Sequence, residues 1–276
     1  MKKVDDEPKV VVVTGASSGI GAALALEYAR PSTHIHIIAR NKERLDKVAH
    51  AIHLAGGTPH IHQLDLSLPS PQPITDLINR IDAEHGGIDL VIPAAGNIGL
   101  GEDGEGETKW DAAMAEKMVD LNVRGAARVI FAAWERMKER RKGKICVIAS
   151  IAAWGGPGNF ALYCSSKAYL YRFALHLRQI SIPYNIQVTT VCPGLIDSAM
   201  TTSMRKLGSI VPKPLHSSPA KLAVHVRKAV KENRGVTSWP YHQGVAQYAF
   251  RGLNPVCEEI AVWVGVVSGG ASDVLT

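Results

Sequence analysis

The sequence predicts an α/β protein built on a parallel, doubly wound sheet with helices on both faces. Short β-branched runs alternate with longer amphipathic segments along most of the 276 residues. The first run, 9–14, is almost wholly apolar, as a strand buried on both faces must be. A glycine-rich turn follows it and leads directly into a helical pattern. This alternation predicts parallel strands joined by right-handed helical crossovers.

The elements follow in order along the chain. The predicted strands are 9–14, 34–39, 59–64, 88–94, 144–149, 186–191 and a short one at 236–239. The predicted helices are 19–30, 42–55 with Asn41 as its cap, 73–84, 110–141, 162–182 and 218–232. Three prolines in 193–218 predict a substrate loop there, and the tail 240–276 has a helical pattern. We expect residues 1–276 to form a single domain.

The composition limits the possible classes of protein. Apolar residues make up 46% of the chain, and the four cysteines lack CxxC spacing, so we expect reduced thiols. The amino end has no signal-peptide pattern, and the apolar run 260–267 is too short to span a bilayer. These observations favour a cytoplasmic protein. We also expect 260–267 to be covered, by the body, a subunit partner or the substrate cleft.

The net charge of +6 raises the possibility of nucleic-acid binding. The densest basic run, 136–144, falls where a helix is predicted to end, and the helix dipole favours cations there. No aromatic residues alternate with these charges, as single-strand binding would require. We therefore expect no nucleic-acid partner.

The turn after the first strand has the sequence TGASSGIG and predicts a phosphate-binding loop. Gly15 allows the tight turn, Gly19 lets the backbone approach a pyrophosphate, and Gly21 allows close packing of helix on strand. The amino end of the following helix attracts the anion. Ser17 and Ser18 add hydroxyl donors.

The end of the second strand predicts which dinucleotide binds. An NAD site needs a carboxylate there for the ribose 2′-hydroxyl. The chain instead has Ala39 and Arg40, and a guanidinium suits the 2′-phosphate of NADP(H). Asp65 and Leu66, after the third strand, are expected beside the adenine.

Tyr163 and Lys167 are four residues apart on one predicted helix and therefore share a face. A tyrosine titrates near 10 in water, and a neighbouring ammonium favours its ionised form. Such a pair can exchange a proton with a carbonyl or an alcohol. Ser150 follows the fifth strand and is placed to bond the substrate oxygen, and Asn122 is a polar residue within a predicted helix.

Together these motifs resemble the short-chain dehydrogenase/reductase family over nearly the whole chain. TGASSGIG, Asn122, Ser150, YCSSK and Pro193–Gly194 have the family's order and approximate spacing. The resemblance implies a Rossmann-like domain, hydride transfer at a nicotinamide, and a homodimer or homotetramer. It also implies that Tyr163 is the acid/base and that Ser150 holds the carbonyl oxygen.

The resemblance implies further contacts. Lys167 would bind the nicotinamide ribose, and Asn122 would support a water-linked proton relay. Pro193, Gly194, Ile196 and Ser198 would line the nicotinamide side. The full set of expected cofactor residues is Gly15, Ser17, Ser18, Gly19, Ile20, Gly21, Arg40, Asp65, Leu66, Ala95, Gly96, Tyr163, Lys167, Pro193, Gly194, Ile196 and Ser198.

Pro93 departs from the family, which has an asparagine before Ala94-Ala95-Gly96. Proline also lacks a backbone donor, so the sheet is expected to weaken there. Backbone contact with the cofactor at Ala95 and Gly96 is still expected.

Eleven histidines raise the question of a metal. His34 and His36 on the second strand, with His60 and His62 on the third, are predicted to cluster. No carboxylate or cysteine completes a ligand set, and these positions lie away from the cofactor edge. We therefore expect no functional metal.

An NADP(H)-sensing regulator without turnover, or an interaction module using the basic surface, is the alternative to an enzyme. A sensor needs the cofactor pocket but not the Asn/Ser/Tyr/Lys set, so the enzyme is favoured. Trp154, Phe160, Leu195 and 198–215 are expected pocket walls for an apolar carbonyl or secondary alcohol.

Overall fold

A seven-stranded parallel sheet, ordered β3-β2-β1-β4-β5-β6-β7, forms the centre of the computed structural model. The structure describes residues 7–99, 111–156, 158–206 and 216–251. The strands are β1 (Val10–Thr14), β2 (His34–Ala39), β3 (Thr58–Gln63), β4 (Leu90–Pro93), β5 (Gly143–Ile148), β6 (Ile186–Pro193) and β7 (Val236–Trp239). This order confirms the doubly wound parallel sheet. The seventh strand extends it, because β7 pairs in parallel with β6.

Helices cover both faces of the sheet. They are α1 (Gly19–Glu27), α2 (Lys42–Leu54), α3 (Gln72–His85), α4 (Ala112–Met118), α5 (Ala126–Arg140), α6 (Ala161–Ser181), α7 (Ala199–Lys206), α8 (Pro219–Lys231) and α9 (Tyr241–Arg251). One buried cluster joins the sheet to α1, α2 and α8, and another joins it to α3, α5 and α6. Alternate valines of β1 enter opposite clusters, as the two-residue period of a strand requires.

Local sequence explains where several helices begin. Asn41 accepts a hydrogen bond from the backbone of Arg44 and caps α2, as predicted. Ser218 caps α8 in the same way, with Pro219 in its first turn. The α3 helix ends at Gly86, whose positive φ of 67° suits the left-handed cap that glycine favours.

The prediction of one continuous α-helix over 110–141 is wrong in the middle of that range. A π-helical turn, Val119–Gly125, separates α4 from α5. A π turn holds one more residue than an α turn, so it shifts the helix face without breaking the helix. Hydrophobic periodicity did not reveal this shift, because the buried positions on either side still have helical spacing. Residues 100–110 lie outside the described part.

The loop predicted over 193–218 is also partly wrong, because α7 lies within it. Residues 207–215 are outside the described residues. In the tail, α9 agrees with the predicted helical pattern. The apolar run 260–267 lies outside the described residues.

The strand β4 pairs with its two neighbours over different lengths. The pairing of β4 with β1 continues to Pro93, whereas its pairing with β5 ends at Val91. A proline nitrogen has no hydrogen to donate to a strand ladder. The ladder between β4 and β5 is short, but it ends two residues before Pro93, so the weakening expected from this proline stays a prediction.

Among the described helices, none combines the length and the apolar character that crossing a membrane requires.

Candidate active site

A cleft opens at the carboxyl edge of the sheet, where β1 and β4 lead their crossovers to opposite faces. Ligands of doubly wound folds bind at this reversal of strand order. The cleft lining includes twelve of the expected cofactor residues: Gly15, Ser17, Ser18, Gly19, Ile20, Gly21, Arg40, Asp65, Leu66, Ala95, Gly96 and Ser198. Sequence analysis did not list the remaining lining residues as contacts: Ile38, Ala39, Arg44, Leu64, Ala94, Asn97, Ile98, Leu121, Ala199 and Met200.

The phosphate turn fits its role in detail. Gly15 has a φ of +64°, and a Cβ built on it would lie 2.6 Å from the Cα of Ala95. A Cβ on Gly21 would lie 2.3 Å from the carbonyl oxygen of Gly15. Both positions therefore require glycine. Ser18 is the residue before α1, but its side chain makes no capping hydrogen bond with the helix. This arrangement fits a pyrophosphate at the helix terminus.

Two arginines line the cleft near the end of β2. Arg40 lies 4.0 Å from the Asp65 carboxylate, with Arg40 Nη1 and Asp65 Oδ2 as the closest atoms. Arg44 lines the same cleft, and sequence analysis missed it. Its signal was its position in the first turn of α2, one helical turn past the end of β2. The cleft therefore has a second cation that we had not expected.

Tyr163 lies near the start of α6, where Ser150 is its side-chain hydrogen-bonding neighbour. Burial raises the pKa of Tyr163 to about 12, and the bond with Ser150 opposes that rise. The tyrosine is therefore a protonated phenol at neutral pH. This is opposite to the lowered pKa that we expected from the neighbouring lysine.

Lys167 lies one turn further along α6 and is 5% exposed. Its ammonium donates to the carbonyl oxygen of Ile148, at 3.1 Å, and lies 5.8 Å from the centre of the Tyr163 ring. Burial lowers the pKa of Lys167 to about 8. The ammonium is thus held beneath the tyrosine at the end of β5, and its own charge is easily lost.

Asn122 is fully buried in the π turn and joins three segments. Its Oδ1 accepts from the backbone nitrogen of Asn97, and its Nδ2 donates to the carbonyl oxygen of the same residue, both at 2.9 Å. Nδ2 also lies 3.1 Å from Ser166 Oγ on α6. A Cβ built on Gly96 would lie 3.2 Å from Asn122 Oδ1 and 3.5 Å from Lys167 Nζ. Asn122 and Lys167 therefore border Gly96 at one end of the cleft, although none of the four predicted catalytic residues is itself in the cleft lining.

Five expected cofactor contacts do not line the cleft: Tyr163, Lys167, Pro193, Gly194 and Ile196. The last three lie at the end of β6 and in the turn after it. Gly194 donates to the carbonyl oxygen of Trp239, at 2.8 Å, so the turn is attached to β7. The side chain of Gln243, on α9, accepts from the nitrogen of Leu195. Sequence analysis did not identify Gln243, because no local motif marks a contact across 48 residues.

Apolar side chains lie beside Tyr163. Phe160 and Ile98 are buried together, and Met200 packs against them with Tyr163. Trp154, another expected wall, packs instead against Tyr171 with ring centres 5.6 Å apart. Tyr163 thus borders an apolar surface formed by three separate segments of the chain.

The model of the short chain dehydrogenase family matches residues 9–207, which contain the phosphate turn and all four of these catalytic candidates. The chain belongs to the short-chain dehydrogenase/reductase family. An uncharacterized oxidoreductase of Myxococcus xanthus is 32% identical over 195 residues, which are 71% of this chain and 75% of that protein. This short-chain dehydrogenase/reductase is accordingly an oxidoreductase.

Solved structures agree with the fold of this dehydrogenase/reductase. A short-chain dehydrogenase from Sphingobium yanoikuyae in complex with NADPH has a TM-score of 0.75 and 26% identity, over 88% of this chain and 92% of its own. An NAD+-bound xylitol dehydrogenase has a TM-score of 0.74 and 23% identity, over 86% of this chain and 99% of its own. The second likeness shows the fold alone.

Proposed function

We propose that this enzyme transfers a hydride between NADP(H) and a carbonyl or the matching secondary alcohol, with Tyr163 as the general acid/base. The observation that carries the proposal is the grouping of Tyr163 with Ser150 and with Lys167, whose ammonium lies 5.8 Å from the centre of the tyrosine ring. This group lies next to Gly96, Ile98 and Met200, which line a cleft together with the phosphate turn and two arginines.

The bound nicotinamide supplies the hydride in reduction and accepts it in oxidation. In the direction of reduction, the Ser150 hydroxyl and the Tyr163 phenol bond to the carbonyl oxygen. As the carbonyl carbon gains the hydride, Tyr163 gives its proton to that oxygen and a secondary alcohol forms. Lys167 balances the charge that develops on the phenolate, and Asn122 holds the 96–97 segment beside it.

NADP(H) is proposed over NAD(H) because of the charges at the end of β2. Ala39 stands where an NAD site would have a carboxylate, and Arg40 and Arg44 line the cleft beside it. Guanidinium groups bind phosphate through charge-assisted hydrogen bonds. The short-chain dehydrogenase from Sphingobium yanoikuyae, which is 26% identical to this chain, was solved in complex with NADPH, and this supports the proposal.

An apolar carbonyl compound is the proposed substrate class. Phe160, Ile98 and Met200 form the apolar surface beside Tyr163. A substrate carbonyl that reaches the Tyr163 and Ser150 hydroxyls would place its substituents against these side chains, where burial of apolar area favours binding.

Replacement of Tyr163 by phenylalanine tests the proposed acid. The ring and its packing are kept while the proton is removed, so kcat for carbonyl reduction should fall by about a hundredfold or more. The affinity for NADPH should change little. The assay is NADPH oxidation with a panel of apolar ketones, together with NADPH binding followed by fluorescence.

Tyr169→Phe is the matched control, because Tyr169 is on the same helix and is 43% exposed. It should retain wild-type turnover. If Tyr163→Phe turned over ketones at nearly the wild-type rate, the proposed role of Tyr163 would be wrong. A wild-type protein that binds NADPH but reduces no carbonyl in the panel would instead indicate a cofactor sensor.

A further inference from the structure

Five histidines form a cluster outside the cleft, near the β3 edge of the sheet. His34 and His36 lie on β2, and His60 and His62 lie on the neighbouring β3. The fifth, His85, is the last residue of α3 and was not part of the predicted group. The predicted approach of the four strand histidines is confirmed by their ring contacts. We call these five residues the histidine cluster.

The imidazole nitrogens of the cluster lie directly against one another. His34 Nδ1 is 3.0 Å from His60 Nε2, and His36 Nδ1 is 2.9 Å from His62 Nε2. His36 Nε2 is 3.0 Å from His85 Nε2. A neutral imidazole has one N–H and one lone pair. Each contact therefore holds one proton between two nitrogens, and a metal ion can take the place of such a proton.

Three members of the cluster have the geometry of a ligand set. One nitrogen from each of His34, His60 and His85 can be chosen so that all lie within 4.8 Å of one another. Zinc binds imidazole nitrogen at about 2.0–2.1 Å in tetrahedral sites, which places two ligand nitrogens about 3.3–3.4 Å apart. The His34–His60 pair, at 3.0 Å, would need to separate by about 0.3–0.4 Å, and a pair at the 4.8 Å limit would need to approach by about 1.4 Å, to admit the ion.

We propose that His34, His60 and His85 bind one Zn²⁺ ion, with water in the fourth position. Three neutral imidazoles with an open position are an established type of zinc ligand set. Neighbours of the ligands also fit this role. His36 is fully buried and bonds to His85, so it is a positioning residue that fixes the orientation of that ring.

The surroundings of the cluster favour a metal over simple packing. His34, His60 and His85 are each partly exposed, so an ion can reach them from solvent. The Glu84 carboxylate acts electrostatically on His60 and His62 and would offset part of the charge of a cation. Arg80 acts on His62 in the opposite sense. The ion would join β2, the edge strand β3 and the end of α3.

Calorimetric titration of the full chain with ZnCl₂, after removal of metals with a chelator, tests the site. We expect one saturable Zn²⁺ per chain. The thermal midpoint should rise by about 5–10 °C when free Zn²⁺ exceeds its Kd about a hundredfold. His60→Gln and His85→Gln should each weaken binding by tenfold or more, while His53→Gln, an exposed histidine of α2, should bind as the wild type does.

A Co²⁺ titration of the wild type is a second measurement, and its result does not depend on whether any variant folds. Tetrahedral Co²⁺ with nitrogen ligands absorbs strongly in the visible range, and Zn²⁺ should abolish that absorption at one equivalent. Carbonyl reduction should be unchanged by metal or by His60→Gln, because the cluster does not line the cleft. A wild type without saturable Zn²⁺ binding, or variants that bind as tightly as His53→Gln, would overturn the proposal.

Discussion

At the scale of single residues, Arg40 and Arg44 are expected to determine whether the enzyme prefers a phosphate or a hydroxyl at the 2′ position of the adenosine ribose. Arg40→Ala should lower the ratio of kcat/KM for NADPH to that for NADH by about tenfold to a hundredfold. Each charge-assisted bond contributes about 1.5–3 kcal/mol, and about 1.4 kcal/mol corresponds to tenfold. Since Arg44 adds a second cation, the wild-type preference should exceed what Arg40 alone supplies, and Arg44→Ala should reduce it further.

Lys42→Ala is the control for these arginines, because Lys42 carries the same charge nearby and pairs with Asp46 at the surface. Both cofactors must be compared at one ionic strength, since salt screens the phosphate contact. An Arg40→Ala variant with an unchanged ratio would show that another residue selects the cofactor.

Lys167 should set the alkaline limit of carbonyl reduction. Its pKa of about 8 means that the free enzyme loses this ammonium above that pH, whereas Tyr163, with a pKa of about 12, stays protonated. We expect kcat/KM for NADPH to be level below about pH 8 and to fall above it, approaching about tenfold per unit. The measurement is the pH profile of kcat/KM at saturating ketone.

Lys167→Arg keeps a charge that is not lost in this range. Its activity should be low, but the decline above pH 8 should disappear. A wild-type profile that stays level to about pH 10 would contradict the assignment.

At the scale of the element, the π turn is what brings Asn122 to the site. Asn122→Ala should lower the free energy of unfolding by about 1–3 kcal/mol, because partly buried backbone groups of Asn97 lose their partners. Ser166→Ala should cost about 1 kcal/mol or less, since Asn122 Nδ2 then still donates to Asn97. Urea denaturation measures both changes. Equal losses in the two variants would show that the Asn97 contact is not the important one.

Sequence patterns predicted the strands and helices better than the turns that connect or interrupt them. The apolar run of β1 and the capping asparagine of α2 have local causes, and both lie within one or two residues of the prediction. The π turn has no such local cause in the sequence; at its last residue, Gly125, an added Cβ would lie 2.8 Å from the Leu66 carbonyl oxygen. Such contacts connect residues far apart in sequence and leave no periodic signal.

The candidate site shows the same division. Sequence motifs indicated the phosphate turn and the four catalytic candidates, Asn122, Ser150, Tyr163 and Lys167. They could do so because each motif is a short pattern with its own chemistry. Arg44, Asn97 and Gln243 were missed as contributors because folding alone brings them there. The pKa of Tyr163 was predicted in the wrong direction, since burial, which the sequence does not display, exceeds the other effects.

At the scale of the whole molecule, the centre of the sheet is formed by β1 and β4, which pair although they are far apart in the sequence. The Asp89 carboxylate, just before β4, accepts from the backbone nitrogens of Lys9 and Val10, at 2.9 and 3.2 Å. At the other end of the same seam, Thr14 Oγ1 accepts from the nitrogen of Ala95, at 3.2 Å. Side-chain bonds therefore fasten both ends of the pairing between β1 and β4.

This seam has a consequence for the protein during its synthesis. The turn at Gly15 has no opposite wall until Ala95 has been made, and the cleft is incomplete until Met200 has followed. At about 5–20 residues per second, the interval between Gly15 and Met200 lasts roughly 10–40 s. A nascent chain therefore has no completed cleft until Met200 has been added, and a ligand of the cleft can stabilise the chain only after that point.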